Sequence, residues 1–490
     1  LHIETTKSHI IYTQHPNKKL NSMCVEFLIS VASLQSEISY ITITYGESIS
    51  DITGRTNAPY QDAAPATDQN AWVQSGTSTD TPYTDIGIDG SGYILGMIDT
   101  GLDDLSCFLI DTSGEQTTRT PRSNYTNPVT EMFRRKVVQY IAWADGEPSI
   151  EYDHGTWCAG ASLGQCIDST SSASDYNGVA PSAKISIFDV DVSATENYLN
   201  VPSLYDIALP IAYNIGARVH SNSWTTYYMS SYTSKSIEVD EFTYENQDFL
   251  FIAGAGNSGD TGFNSVTSPA NSKNTIAVGA SSVNHNNIVS FSSLGSSYDT
   301  AFKPNIVAPG RYLQSAGVRM ENQTNSCNVE ISSGTSMATP IIAGSAILIR
   351  HYLENSSYWG KFCNPEYKSC PVIVPSKSNP NVPTFISSAL LRAAIIHSGA
   401  PMDEYESSTK NLLPATNLTY PPNNYEGWGQ LRLSNVLPIP NVYNFDLYVR
   451  DYVSIESLTR HTYHVTVTDS TTPLKVTIAW IDPPNVNWGV

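Results

Sequence analysis

Positive charge is scarce in this chain: 26 Lys and Arg stand against 46 Asp and Glu, a formal net charge of −20. That sign repels nucleic acid and anionic membrane surfaces, so neither is expected as a partner. Long apolar runs are lacking too. The strongest candidate, VEFLISVASLQSEISYITI, is broken by Glu26, Gln35 and Glu37, whereas a span needs roughly 18 uninterrupted apolar residues. No membrane span is expected within the chain. The 7 cysteines include no C-x-x-C pair, which argues against a zinc site, and no metal ligand set is expected. Their odd number leaves at least one without a partner in the chain. Internal repeats are absent.

What is present fits a globular protein. Hydrophobic residues at 40% supply an ordinary core, and charged residues at 15% leave a surface rich in Ser, Thr, Asn and Tyr, which excludes disorder throughout. A chain of 490 residues exceeds one typical core and predicts two or three structural units. Asn124, Asn322, Asn355 and Asn417 open N-x-S/T sequons, glycan acceptors on a secretory route. Cys363 and Cys370 sit in a Pro/Lys/Ser-rich insertion, where a short loop-closing disulfide and two free thiols are both open readings. Cys107, Cys158, Cys166 and Cys327 lie near the motifs below. The chain begins at Leu1 rather than Met and stops in a strand-like stretch, which reads as a fragment.

Hydrophobic periodicity divides the chain. Residues 1–48 mix helix-like and strand-like patterns and end in ISYITITYG, an alternation suited to a half-buried strand. Residues 49–84 turn to Thr, Ser, Asp, Gly and Pro and read as a linker. From 85 to 400, β-branched runs alternate with helical or polar stretches. GYILGMI, AKISIFDV, ARVHSNSW, DFLFIAGAG and TIAVGAS are buried-strand candidates, and PSLYDIALPIAYNIGA is a helix between two of them. This order predicts an α/β fold with a doubly wound, mostly parallel sheet. SMATPIIAGSAILIR is apolar nearly all round and should be a buried helix. SSALLRAAIIHSG starts on Ser and stops at Gly399 as helices commonly do. Residues 401–430 read as a second linker, and 431–490, with HTYHVTVT and LKVTIAWI, as the start of a truncated β-sandwich domain.

Four Gly-flanked segments carry chemistry. MIDTG places Asp99 directly after a strand, on the rim where open parallel sheets bind ligands; alone, it would read as a turn or cap residue. DHGTWCAG places His154 ahead of a run of small residues that can pack closely. GTSMATP places Ser336 in the first turn of the buried helix. Ser is a favoured cap, yet backbone N–H groups and the positive helix end can also stabilise an oxyanion there. AGAGNSG places Asn257 after a strand, where its amide can donate to a developing negative charge; by itself it is a turn Asn. Together the four residue types supply a known chemistry. Asp orients His, His takes the proton from Ser, and Ser attacks a carbonyl.

The segments MIDTGLD, DHGTWCAG and SSGTSMATP, in that order, together with SPANSKNTIAVGASSVNHNNIVSFSSLG and KPNIVAPG, resemble the subtilisin family of serine proteases over residues 85–400. The resemblance implies a serine endopeptidase acting on protein or peptide substrates. It implies Asp99 as orienting acid, His154 as general base and then acid, Ser336 as nucleophile, and Asn257 as side-chain oxyanion donor beside the Ser336 N–H. An extended substrate would add a strand alongside Ser223, Trp224 and Thr225. Gly254, Ala255 and Gly256 would line the opposite wall, roomy and of broad or apolar preference. No cofactor is required for the chemistry, and structural calcium is an expectation of the family that no Asp/Glu spacing here locates. SVASLQSEISYITITYGE resembles the end of an inhibitory propeptide, which makes residues 1–48 a propeptide-like segment and an intramolecular partner, and GWGQLRLSNVLP resembles the join to a C-terminal sandwich. A precursor cut within 45–85 follows, secreted or in a vesicular, lysosome-like compartment, with any membrane anchor outside the fragment.

Two positions depart from the family pattern. Thr225 stands where a Gly commonly follows the Ser-Trp pair, narrowing the pocket, and Trp157 replaces the second His of the His motif, which proton transfer does not need. An α/β-hydrolase is excluded, because its motif is G-x-S-x-G and its order Ser, Asp, His. GSGYILG precedes its strand and so cannot be a dinucleotide loop. The remaining alternative is a catalytically silent binding or processing module of the same fold, against which the intact Asp99, His154, Asn257 and Ser336 count.

Overall fold

The computed structural model describes residues 66–485 apart from 145–153, 169–170, 192–198, 227–229, 284–285, 296–300, 320–326, 355–385, 407–411, 415–419, 444, 446, 465–466 and 468–473. Ahead of residue 66 it describes only the strands His2–Thr5, Ile10–Thr13 and Glu47–Ile49.

Seven strands form the central sheet: β1 (Ile94–Asp99), β2 (Val137–Ala142), β3 (Lys184–Asp189), β4 (Val219–Asn222), β5 (Leu250–Gly254), β6 (Ile276–Ser281) and β7 (Ile306–Pro309). They are mutually parallel in the order β7-β6-β5-β4-β1-β3-β2. Arg119–Pro121 extends the β2 edge, and Asn287–Ile288 runs antiparallel on β6 before pairing with Glu404–Glu406. The chain winds from β1 to β2 and β3 on one side, then returns to β4 on the other. That reversal makes β1 the switch point, and ligand sites of such sheets lie beyond the strand ends there.

Alternate residues of each strand enter opposite cores, so both faces of the sheet are covered. Leu95, Met97, Ile185, Ile187, Leu250 and Ile252 join one cluster with Met337, Ile341 and Trp157. Ile98, Phe188, Phe251 and Ala253 join a second with Ile207 and Phe242. Burial on both faces is why these strands read as continuous apolar runs. On the first face lie α1 (His154–Leu163) and α3 (Thr335–Glu354); α2 (Ser234–Glu245) lies on the second. Every residue of α3 except its last is buried, as its composition requires. α4 (Ser388–His397) is capped by the Ser387 side chain, which accepts from the Leu390 N–H. The helix expected before β4 forms too, as Leu209–Asn214 preceded by a π-helical turn at Leu204–Ala208.

Three readings of organisation change. Within 49–84, read as a linker, Ala66–Ser75 is a helix with Ala71 and Val73 fully buried, held by an Asn70 Nδ2 bond to the Asn177 carbonyl. The stretch 401–430, also read as a linker, contributes Glu404–Glu406 to the sheet, and Gln430 bonds to Ala400. Residues 431–439 do not open a separate domain, because Leu431, Leu433, Val436, Leu437 and Ile439 belong to the core that holds α3. The C-terminal β-sandwich is not formed among the described residues of 440–485, where no strand is present. The alternation of LKVTIAWI leaves Leu474, Val476, Ile478 and Trp480 exposed; alternation creates a face, but a strand needs a partner to pair with. ISYITITYG lies outside the described residues.

Candidate active site

β1 ends on Asp99, α1 begins with His154, and Ser336 is the second residue of α3. All three are buried. His154 Nδ1 lies 2.6 Å from Asp99 Oδ1, which also accepts from the Thr100 N–H at 2.8 Å. Gly155 permits this approach, since a Cβ there would sit 1.9 Å from the Gly101 carbonyl oxygen. The two segments are laced together on either side: the Gly155 N–H donates to Thr100 Oγ1 at 3.0 Å, and the Asp103 N–H to Thr156 Oγ1 at 2.9 Å. Gly155→Ala should therefore push α1 away from β1. Overpacking of this kind costs about 1–3 kcal/mol, and a displacement of about 1 Å costs on the order of 10² in rate. Thermal denaturation and kcat/KM measured together would check both.

Burial alone would lower the pKa of His154, but the Asp99 carboxylate outweighs it and holds the imidazole well above its ordinary 6.5. Beneath the ring lies Cys158, its Sγ 3.9 Å from His154 Nδ1 and 3.6 Å from the Ser336 carbonyl oxygen. Burial pushes this thiol up, so it stays neutral.

Ser336 and Ser223 clasp each other: Ser336 Oγ donates to the Ser223 carbonyl at 3.0 Å, and Ser223 Oγ donates to the Ser336 carbonyl at 2.9 Å. The second bond is open because of Pro340. In a helix the carbonyl of position 336 would accept from the N–H of position 340, and proline has none. No bond joins Ser336 to His154, whose Nε2 has no hydrogen-bond partner among the described residues. Proton transfer between them requires the hydroxyl to leave Ser223.

Asn257 follows β5 and reaches the start of α3, where its Oδ1 accepts from the Thr335 N–H at 2.9 Å and from Thr335 Oγ1 at 3.1 Å. Its oxygen thus caps the helix from outside, which leaves Nδ2 as its donor end beside a first turn whose N–H groups have no acceptor within the helix. Gly254 and Gly256 are glycines for want of space: a Cβ at 254 would meet Thr335 Oγ1 at 3.2 Å, and one at 256, where φ is +108°, would meet Ser293 Oγ at 2.9 Å. Ala255 is committed to the sheet, its N–H donating to Val278 O at 2.9 Å, and its side chain shares a core cluster with Trp224.

Trp224–Thr226 forms a short strand, and Glu47–Ile49 pairs with it antiparallel, Ile49 opposite Trp224, Ser48 opposite Thr225 and Glu47 opposite Thr226. Trp157 docks α1 on the hairpin Leu313–Ala316/Val329–Ser332, donating Nε1 to the Glu330 carbonyl at 3.0 Å.

Sequence reasoning missed the roles of Thr335, Cys158 and Pro340 around Ser336. The proline was visible four residues after Ser336, and its missing N–H was the available signal. Among the described residues, the His/Cys/Asp/Glu groups compact enough to hold an ion are Asp99/His154/Cys158 and Cys107/Cys166/Cys327. Neither is the oxygen set that calcium takes. No helix among the described residues is long and apolar enough to cross a membrane.

The chain belongs to the subtilase family, whose profile matches residues 90–416. That membership supports serine-protease activity. The chain is 28% identical over 449 residues to the serine protease/ABC transporter B family protein tagD of Dictyostelium discoideum, covering 72% of this chain and 23% of that protein. The corresponding match to tagB covers 72% and 22%, so the chain spans less than a quarter of either relative. Subtilisin Savinase of Lederbergia lenta is 32% identical over 211 residues, covering 43% of this chain and 68% of that protein. Among solved structures, the prenylagaramide maturation protease PagA aligns with a TM-score of 0.46 at 20% identity, covering 72% of this chain and 96% of that one.

Proposed function

We propose that the chain is a serine endopeptidase working through Asp99, His154 and Ser336, and that it is made as a precursor. The observation that carries this reading is the buried contact of 2.6 Å between His154 Nδ1 and Asp99 Oδ1, set one cysteine away from the Ser336 backbone. Asp99 fixes the imidazole with its proton on Nδ1, leaving Nε2 as the base. His154 takes the Ser336 proton as Oγ attacks the peptide carbonyl, then returns it to the leaving amine. Water, deprotonated by the same nitrogen, releases the acyl group. Asn257 Nδ2 and the Ser336 N–H are the donors proposed for the oxyanion.

The strand Glu47–Ile49 supports the precursor reading. It occupies the edge of Trp224–Thr226 to which an extended substrate would add, and as the chain leaves Ile49 its register runs toward Ser223, the partner of Ser336. The bond to be cut is proposed to lie in the first residues after Ile49. The names of tagD and tagB join a serine protease to an ABC transporter, and together with the subtilase match this supports reading the shared part as a protease portion. A disulfide between Cys107 and Cys327 supports an oxidising, secretory or vesicular route.

Asn257→Asp tests the site. It retains the oxygen that caps α3 and removes the amide donor, so kcat on casein should fall at least about 10²–10³ while the melting temperature holds. An unchanged kcat would remove Asn257 from the oxyanion hole. The second reading, a silent module, draws on one observation: the Ser336 hydroxyl is bonded to Ser223 rather than to His154.

A further inference from the structure

Three cysteines meet where the segments that carry the site residues come together. Cys107 lies in the loop after Asp99, Cys166 follows α1, and Cys327 precedes the strand Val329–Ser332 that leads to Ser336. Cys107 and Cys327 are joined in a disulfide. The Cys166 thiol is outside the disulfide and donates to the Asp168 carbonyl at 3.2 Å, with its Sγ 4.0 Å from that of Cys107 and 3.8 Å from that of Cys327. It therefore stands nearly the same distance from both bonded sulfurs. Backbone bonds hold it there independently of the disulfide: the Gln165 N–H donates to the Phe108 carbonyl at 3.0 Å, the Ile167 N–H to the Cys107 carbonyl at 3.1 Å, and the Cys166 N–H to Asn177 Oδ1 at 2.7 Å. The other free thiol among the described residues, Cys158, is occupied beneath His154.

We propose that Cys107, Cys166 and Cys327 form a thiol–disulfide exchange centre in which Cys166 is the internal thiol and the chain holds two interchangeable pairings. Cys166 gives up its proton and its thiolate attacks Cys327 Sγ. The bond between Cys166 and Cys327 forms as that between Cys327 and Cys107 breaks, and Cys107 leaves as a thiolate that takes up a proton. One disulfide and one thiol stand on each side of the step, so no oxidant or reductant is consumed. In the first pairing, the segment leading to Ser336 is tied to the loop after Asp99. In the second it is tied to the end of the helix that begins with His154. With two of the three sulfurs already bonded, exchange rather than metal ligation is the chemistry this centre supports. The proposal does not depend on protease activity.

The test is disulfide mapping on the intact chain. After incubation at about pH 8, where thiolates are populated, the protein is denatured in acid to stop exchange, alkylated with N-ethylmaleimide, digested without reduction and analysed by mass spectrometry. The expected result is two linked peptides in the same sample, Cys107–Cys327 and Cys166–Cys327, with alkylation at Cys166 on molecules of the first kind and at Cys107 on molecules of the second. Cys166→Ser should hold Cys107–Cys327 alone, and Cys107→Ser should form Cys166–Cys327. The wild-type arm decides: if that chain holds only Cys107–Cys327, with Cys166 alkylated and Cys107 never alkylated however long the incubation, the proposal is overturned whatever the variants do.

Discussion

Replacing Ser336 with Ala is expected to leave the chain folded while kcat falls by on the order of 10⁶, the cost of removing a triad nucleophile. The fold should tolerate the change. Only the Ser336 Oγ bond to the Ser223 carbonyl is lost, a net cost of about 1 kcal/mol. The reciprocal bond, from Ser223 Oγ to the Ser336 carbonyl, uses the backbone and survives. Because Glu47–Ile49 lies along Trp224–Thr226, the same substitution should also prevent the cut beyond Ile49 that is expected in the wild type. A gel and a casein assay read both effects. Equal cutting in wild type and variant would assign the cleavage to another protease.

Asp99→Asn should lower kcat by about 10⁴, because the amide lets the imidazole settle in the wrong tautomer. Its effect on pH dependence is the more specific signature. The base must be neutral, so activity rises with pH as His154 loses its proton. With Asp99 present that pKa is held well above 6.5, and the ascending limb of kcat/KM should lie above that value. Without the carboxylate, burial is the dominant influence left and it lowers the pKa, so the residual activity of Asp99→Asn should rise at lower pH than that of the wild type. A limb that stays in place would show that Asp99 does not face the catalytic base.

The sequence showed the parallel sheet because its strands are buried on both faces and so read as unbroken β-branched runs, as in β1 and β5. Asp99, His154, Asn257 and Ser336 were legible because each sits at the end of an element, where small neighbours admit close approach; Gly155 against Gly101 is the tightest case. What escaped depended on partners far away in the chain. Ala66–Ser75 has the polar composition of a linker, yet Gln69, Asn70 and Gln74 find acceptors or donors in Gln314, Asn177 and Tyr83 once the fold brings them near. The Leu and Val residues of 431–439 are spaced like any irregular segment and are buried by a core they do not build alone. The cysteine centre was hidden for the same reason, since the absence of C-x-x-C excludes a local cluster but not one drawn from three distant segments.

The proposed chemistry stands on the activation of Ser336 as a nucleophile. It is tested most directly by treating the chain, before and after removal of the residues through Ile49, with a fluorophosphonate probe and mapping the adduct by mass spectrometry. The expected result is a single adduct on Ser336, stronger after removal and absent from His154→Ala. No adduct on Ser336 in either form would contradict it and leave a silent module of the subtilase fold.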